Sequence, residues 1–318
     1  MYRWIPVLVS MMVTLGGCQP GKEDGVAVDT TPAALMRAVF PHWKPDAPTT
    51  TRIEWQAEDH TGTTRQESGW VLVSPARVIP LAPGRVLLIV AGKPADAEGQ
   101  SQIFADSQGN IGAYWFEQRG ERWYLDGSQP SAGWNGFYGE IGELSLLPLG
   151  NGRQALAIDN GNCWQGQCGH WLSLYALESH RLSPLLIDHM HASDALDASP
   201  GCVSLMDAPA GSTHHESLEN YSTSCHAISS RWEILPRTDA PGDLIIQVTG
   251  KTTSAKQVAL APPASPSESS APVAGEAEDE TPTEEYLVSI HGIKETLVYR
   301  FRDGRYQLAS GKNPVTGF

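Results

Sequence analysis

Charge is scarce in this sequence of 318 residues, and positive charge is scarcest. Charged residues make up 18% of the chain, and 22 lysines and arginines stand against 36 aspartates and glutamates, a formal net charge of −14. Because 41% of the residues are hydrophobic, the chain can build a packed core, which excludes disorder along its whole length. The acidic balance disfavours nucleic acid and anionic membrane surfaces as partners, since both repel a negative protein.

Catalytic motifs are missing as well. The sequence has no G-x-S-x-G elbow, no H-E-x-x-H helix, no P-loop and no G-x-G-x-x-G turn. A serine–histidine–aspartate triad can form from residues far apart in sequence, because geometry defines it, but nothing in the sequence points to one. We therefore predict a protein that is not an enzyme and has no catalytic residues.

Long apolar runs are absent except at the N-terminus. There, Arg3 precedes a twelve-residue uncharged stretch, 4–15, which is shorter than the roughly 20 residues that cross a bilayer as a helix. A positive residue, a short apolar run and two small residues are typical of a secretory signal peptide, which we place at residues 1–17.

The end of this segment, Leu15-Gly16-Gly17-Cys18, resembles the lipobox of bacterial lipoproteins. The resemblance implies that Cys18 is acylated and becomes the first residue of the mature chain, with 18–31 as a lipidated tether. More than one acyl chain is needed for stable anchoring, and a lipoprotein cysteine satisfies that requirement. Gln19 stands where aspartate usually retains such proteins at the inner membrane, so the resemblance implies the periplasmic side of the outer membrane. The alternative is a plain signal peptide with an incidental cysteine.

Cysteine is rare, and after Cys18 the count is even. Export to an oxidising compartment would pair the four that remain, and three pairings are possible. We favour neighbouring pairs because short loops close most readily. The alternative is a zinc site made by the first pair and His170. The four cysteines are Cys163, Cys168, Cys202 and Cys225.

Helical periodicity is nearly absent from the body of the chain. One short helix is predicted, with Thr31 as its cap and Pro32 at its first position. At least ten short apolar runs between turn residues predict strands, and the Asp-Gly at 303–304 predicts a hairpin. The runs are 69–73, 85–90, 111–116, 122–125, 143–147, 155–158, 171–177, 244–248, 286–290, 296–301 and 306–308.

Sequential hairpins indicate an all-β meander, which we predict to be propeller-like, with a double-sheet β-sandwich as the alternative. The segment 149–177 resembles a blade of the FG-GAP-like β-propellers, although its glycine-rich loop lacks the carboxylates that bind calcium. We predict a single domain over residues 32–318. It carries a disordered, acidic, proline- and serine-rich insertion at 257–285, and the strands on either side of this insertion are expected to pair.

Histidines cluster between residues 170 and 226, which hold seven of the ten. Imidazoles from two segments could together supply three or four ligands to zinc or copper. The competing interpretation, which we favour, is a polar loop region with scattered histidines. The candidate ligands are His189, His191, His214 and His215.

Aromatic residues cluster between 114 and 138. Three of them, Trp134, Phe137 and Tyr138, lie among glycines, where a regular strand is less expected. A glycine-bounded loop that presents such rings can enter a partner's cleft, because aromatic side chains dominate binding hot spots. Structural packing of the same loop is the competing interpretation, and the one we favour.

The predicted layout of anchor, tether, disulfides and β-rich body is similar to that of periplasmic immunity lipoproteins. This resemblance is one of architecture and implies a protein partner, such as a toxin secreted by a competing bacterium. Two other functions remain open at this point: a scaffold lipoprotein of envelope assembly, and a periplasmic metal-binding or hydrolytic protein that uses region 170–226.

Overall fold

The computed structural model describes residues 26–27, 30–58, 64–217, 224–238, 240–258 and 285–315. Regular structure there consists of fifteen strands and two short helices. In chain order they are β1 (Val26–Ala27), α1 (Pro32–Val39), β2 (Thr50–Glu58), β3 (Thr64–Ala82), β4 (Arg85–Ala95), β5 (Gly109–Arg119), β6 (Arg122–Asn135), β7 (Glu143–Gly150), β8 (Arg153–Trp164), β9 (Gln167–Glu178), β10 (Arg181–Asp194), α2 (Cys202–Asp207), β11 (Thr213–Ser217), β12 (His226–Leu235), β13 (Asp243–Val258), β14 (Glu285–Arg302) and β15 (Arg305–Ser310).

The predicted all-β class is confirmed, and every predicted strand run lies within a strand. Helix α1 also forms as predicted. The backbone N–H of Ala34 donates to the Thr31 hydroxyl at 3.4 Å, and the first residue of the helix is a proline. Leu35 and Met36 are fully buried against the first sheet. Five strands that the sequence did not predict, β1, β2, β10, β11 and β12, complete the meanders, and the runs 286–290 and 296–301 belong to one strand, β14.

The first sheet has six antiparallel strands in the order β1-β6-β5-β4-β3-β2. Consecutive strands from β2 to β6 are neighbours, as expected for a chain of hairpins. The short strand β1 lies within the segment predicted as a tether, and it pairs with Trp123 and Arg122 of β6. Two residues of the predicted tether 18–31 are therefore paired with the edge of the sheet.

The second sheet has nine strands in the order β11-β14-β13-β12-β10-β9-β8-β7, with β15 also beside β14. Strands β10 and β12 share only two residue pairs, Ser193–Ile228 and Asp194–Ala227. This narrow connection divides the sheet into two halves, β7–β10 and β11–β15. The two halves pack face to face and bury one apolar cluster that includes Leu172, Leu174 and Ile246.

A second apolar cluster lies between the two sheets. It joins Leu87, Ile89 and Trp115 of the first sheet to Ile158 and Tyr175 of the second. Two hydrogen-bonded antiparallel sheets therefore pack face to face, which corresponds to the alternative that the sequence left open, the double-sheet arrangement, and not to the propeller-like one predicted first.

The acidic insertion joins two strands that are neighbours in one sheet. Strands β13 and β14 pair continuously from Leu244–Tyr299 to Val258–Glu285. Residues 257, 258 and 285, predicted to belong to the insertion, are strand residues instead; the rest, 259–284, lies outside the described residues, as do Cys18 and the signal peptide.

Both disulfides join neighbouring cysteines, as predicted. Cys163 and Cys168 face each other in the β8–β9 hairpin, and Cys202 of α2 is bonded to Cys225 just before β12. The thiolates that a zinc site with His170 would need are therefore consumed. Cys202 and Cys225 are fully buried beside Val288 and Ile290.

Candidate functional site

Two loops at one end of the first sheet meet and hold each other: loop 96–108, between β4 and β5, and loop 136–142, between β6 and β7. The backbone N–H of Gly139 donates to the carbonyl of Ser107 at 2.7 Å, and Glu140 N–H donates to the carbonyl of Phe137 at 2.9 Å. A Cβ at Gly109 would lie 2.6 Å from the Gly139 carbonyl oxygen, so the close approach of the loops requires glycine at 109.

The loops leave two large aromatic side chains in solvent. Phe104 is 70% exposed and Tyr138 is 49% exposed. The hydroxyl of Ser107 accepts from the Phe104 N–H at 2.8 Å, which fixes the backbone that carries the phenylalanine. Both rings thus stand on a loop structure defined by hydrogen bonds.

A shallow cleft of about 380 Å³ lies beside these rings. Trp55 and Trp134 pack edge to face in it, with ring centroids 5.0 Å apart. Phe137 packs against Trp171 in a tilted arrangement, with ring centroids 4.8 Å apart. We refer to Phe104, Tyr138 and this cleft as the aromatic surface. The cleft is lined by Trp55, Pro94, Asp106, Ser107, Gln108, Trp134 and Phe137.

The structure places the three aromatic residues of the predicted loop in different environments. Trp134 is half-buried against the core of the first sheet, and Phe137 is half-buried on Trp171. Only Tyr138 projects into solvent. Phe104 was missed by sequence reasoning because it stands alone in a polar segment; the only available signal was a large aromatic ring between two aspartate- and glutamine-containing stretches.

A polar network fixes loop 136–142 to the second sheet. Asn135 is fully buried; its Nδ2 donates to the Ile141 carbonyl at 3.3 Å, and its Oδ1 accepts from Asn160 Nδ2 at 3.2 Å. The hydroxyl of Ser173 lies 3.2 Å from the same Oδ1. These contacts satisfy the buried amide and hold the loop in one position.

The network continues to the cleft through Asp188. Ser173 Oγ lies 3.3 Å from one carboxylate oxygen of Asp188, and Gln108 Nε2 donates to the other at 3.3 Å. Burial raises the pKa of Asp188, while the hydrogen bonds from Ser173 and Gln108 act in the opposite direction. The side chain of Gln108, which lines the cleft, is therefore oriented by a hydrogen bond to Asp188 of the second sheet.

The predicted histidine region forms a second polar cluster at the rim where the two halves of the second sheet pack. Strand β9 contributes one histidine and β10 two, and β8, β12 and β14 supply their partners. We call this cluster the histidine seam. It consists of His170, His189, His191, Asp159, Ser230 and Tyr299.

His191 lies at the centre of the histidine seam. Its Nδ1 is 2.7 Å from the Ser230 hydroxyl, and its Nε2 is 3.5 Å from Asp159 Oδ1. Burial pushes the pKa of Asp159 upward, but hydrogen bonds and charge from His191 lower it below its usual value. This set of groups resembles a hydrolase triad, yet His191 is only 6% exposed; Ser230 satisfies its Nδ1, whereas its Nε2 lies only within ion-pair distance of Asp159.

His189 contacts Tyr299 in the histidine seam. Its Nε2 lies 3.1 Å from the Tyr299 hydroxyl, with the two rings edge to face. Burial, together with the charge of nearby His191, lowers the pKa of His189 to about 4. The imidazole is therefore neutral at pH 7.

The four predicted metal ligands do not come together. His214 and His215 lie on β11, where they pair with Val288 and Leu287 of β14, and alternation along a strand directs them to opposite faces. Within the described ranges, no group of three or more histidine, cysteine, aspartate or glutamate side chains could hold a metal ion. The predicted histidine site is therefore corrected: strand pairing places its two segments apart.

Another groove, of about 630 Å³, lies between residues 43–49 and strand β3. Its lining is mainly apolar, with Trp43, Leu72 and three prolines, and includes neither histidine nor cysteine. The aromatic surface combines exposed rings with an oriented polar wall, so it is the stronger candidate for recognition.

No helix in the described part of the chain is long and apolar enough to span a membrane. Comparison with protein-family models, with curated proteins and with solved structures finds no match for this chain.

Proposed function

We propose that this chain is a non-catalytic outer-membrane lipoprotein, anchored through Cys18, that binds a protein partner in the periplasm through its aromatic surface. The observation that carries the proposal is the exposure of Phe104 at 70% and Tyr138 at 49% beside a cleft lined with aromatic rings. Large aromatic side chains contribute most of the binding free energy in many protein interfaces.

The support for the loops favours binding further. An interface loses affinity when flexible loops must be ordered on association. Here the hydrogen bond from Gly139 to Ser107 and the polar network around Asn135 already define loops 96–108 and 136–142. The partner can therefore bind rings whose backbone is already fixed.

A secreted antibacterial toxin is the partner class we favour, which would make the chain an immunity protein. Support comes from the lipobox-like sequence ending at Cys18, the two disulfides and the β-rich body, a layout similar to that of immunity lipoproteins. A scaffold in envelope assembly would use the same anchor with a different partner.

Co-expression with toxin candidates encoded next to the gene tests this function. We expect one candidate to be neutralised and to co-purify with the full chain, and Phe104→Ser with Tyr138→Ser to abolish both effects. Leu308→Ser, an exposed apolar residue on β15 of the other sheet, is the matched control and should change neither. The proposal is contradicted if the double variant binds as well as the native chain.

The anchor is tested separately by mass spectrometry of the membrane fraction. We expect a mature chain that begins at an acylated Cys18, and a soluble product when Cys18 is changed to serine. An unmodified chain that begins at Met1 would contradict the proposed location.

A further inference from the structure

The geometry points to a cationic side chain, an arginine of the partner, as the group that occupies the cleft of the aromatic surface. This inference rests on the proposed function, because it names the partner's contact residue. It comes from the chemistry of the cleft, whose lining combines aromatic rings with oxygen acceptors.

The aromatic wall favours positive charge. Trp55, Trp134 and Phe137 line the cleft, and the faces of such rings carry negative electrostatic potential. Indole is the strongest of the natural side chains in this respect, and two indoles are among the residues that line the cleft. A cation held over these rings gains attraction that a neutral side chain of the same shape lacks.

The lining also supplies oxygen acceptors. Asp106 is exposed and is one of the residues that line the cleft. The Nε2 of Gln108 is directed to Asp188 at 3.3 Å, which leaves the Oε1 of the same amide as an acceptor. Glu67 adds a second carboxylate nearby, because it pairs directly with Trp55 across β2 and β3.

No basic residue among those that line the cleft offsets this charge, as far as the structure describes the chain. The nearest lysine in sequence, Lys93, precedes the lining residue Pro94 and forms an ion pair with Glu140. The chain as a whole carries a formal charge of −14. Charge complementarity therefore selects a basic group of the partner.

Arginine fits these walls better than lysine does. Its planar guanidinium can lie over an indole face while its N–H groups donate sideways to a carboxylate and an amide oxygen. The compact ammonium of lysine is more strongly hydrated and offers no flat face. Stacking and donation together require the planar group.

Peptide titration tests the assignment without knowledge of the partner. The full chain, labelled with ¹⁵N at tryptophan and held in detergent micelles, is titrated with acetyl-Gly-Arg-Gly-amide. The Trp55 indole signal is identified with Trp55→Phe. We expect saturable shifts of this signal, with a dissociation constant on the order of 10 mM for so small a probe. The citrulline peptide, neutral and nearly identical in shape, should bind at least about fivefold more weakly, and the lysine peptide should lie between the two.

Charge variants identify the site. Asp106→Asn should reduce the affinity for the arginine peptide by about threefold, as expected for the loss of an exposed ion pair. It should leave the affinity for the citrulline peptide unchanged. Asp207→Asn, an exposed carboxylate on α2, is the matched control for lost negative charge and should have no effect.

Equal binding of the arginine and citrulline peptides, or an Asp106→Asn effect no larger than that of Asp207→Asn, overturns the inference. The proposed function fails by a different result, namely the indifference of partner binding to Phe104→Ser with Tyr138→Ser. A chain that loses its partner through that double variant, yet does not prefer arginine, retains the function and loses only this contact.

Discussion

The aromatic surface and the histidine seam are both rich in rings and polar atoms, but they use them in opposite ways. In the histidine seam, each central imidazole has a hydrogen-bond partner inside the protein: His191 has Ser230, and His189 has Tyr299. On the aromatic surface, Phe104 and Tyr138 remain largely in solvent. Residue type alone does not distinguish a site that stabilises the fold from one available for recognition; what matters is whether the protein itself supplies the contacts.

The largest effect should come from the disulfide next to the histidine seam. Cys225 immediately precedes β12, whose first residues pair with β10 and connect the two halves of the second sheet. Removal of this bond, with Cys202→Ala and Cys225→Ala, should lower the free energy of unfolding by about 3 kcal/mol, because the crosslink closes a long loop in the unfolded chain. Urea denaturation measures the change.

The disulfide Cys163–Cys168 is the natural control for Cys202–Cys225. Cys163→Ala with Cys168→Ala opens a much shorter loop at a hairpin tip, so the loss should be about 2 kcal/mol in the same loop-entropy account. If the hairpin pair proved the more costly to remove, the structural importance of the connection between the halves would be contradicted.

A smaller loss is expected where the aromatic surface is joined to the second sheet. Asn135→Ala removes the donor to Ile141 and leaves Asn160 Nδ2 without its acceptor inside the protein. Such a change should cost about 2 kcal/mol and should accelerate amide exchange at Gly139 and Glu140. Hydrogen exchange and urea denaturation measure the two effects. Asn162→Ala, nearer the hairpin tip, is the matched control, and an equal loss there would argue against a specific role for the network.

The smallest effect is the response of the histidine seam to acid. His189 has a pKa of about 4 in the folded chain, below the 6.5 of a free imidazole, so the unfolded chain binds the proton more readily. The stabilisation is complete above about pH 6.5 and is lost as pH falls towards 4. Between pH 7 and pH 5 we expect a loss of about 1 to 2 kcal/mol, a range that allows for partial solvent access.

His189→Gln isolates this contribution. The variant should lose less stability than the native chain between pH 7 and pH 5 in urea denaturation. The variant should keep the pH-dependent loss of stability that is due to His226, whose pKa is also lowered by burial. His42→Gln, an exposed histidine, should follow the native pH dependence. Identical pH dependence in native chain and His189→Gln would show that the histidine seam does not respond to acid as argued.

Several features followed from the sequence because they depend on neighbouring residues. The Thr31–Pro32 pair predicted helix α1, and the Asp303-Gly304 turn predicted the β14–β15 hairpin, where both residues adopt positive φ. The pairing of neighbouring cysteines followed from loop length. Strands β10 and β12 escaped prediction, because β10 contains a proline and three register shifts and β12 carries serine and arginine among its apolar residues.

The sequence by itself determined the all-β class, the helix cap, the tight turns and the disulfide pairing, since each is a local matter of backbone preference or short loop closure. The tertiary structure alone decided which rings are buried. Trp115 is 2% exposed whereas Phe104 is 70% exposed, and His189 and His191 meet Tyr299 and Ser230 from strands far along the chain. Burial is a property of what packs across a sheet, and those neighbours are set by how the two sheets and the two halves of the second one come together.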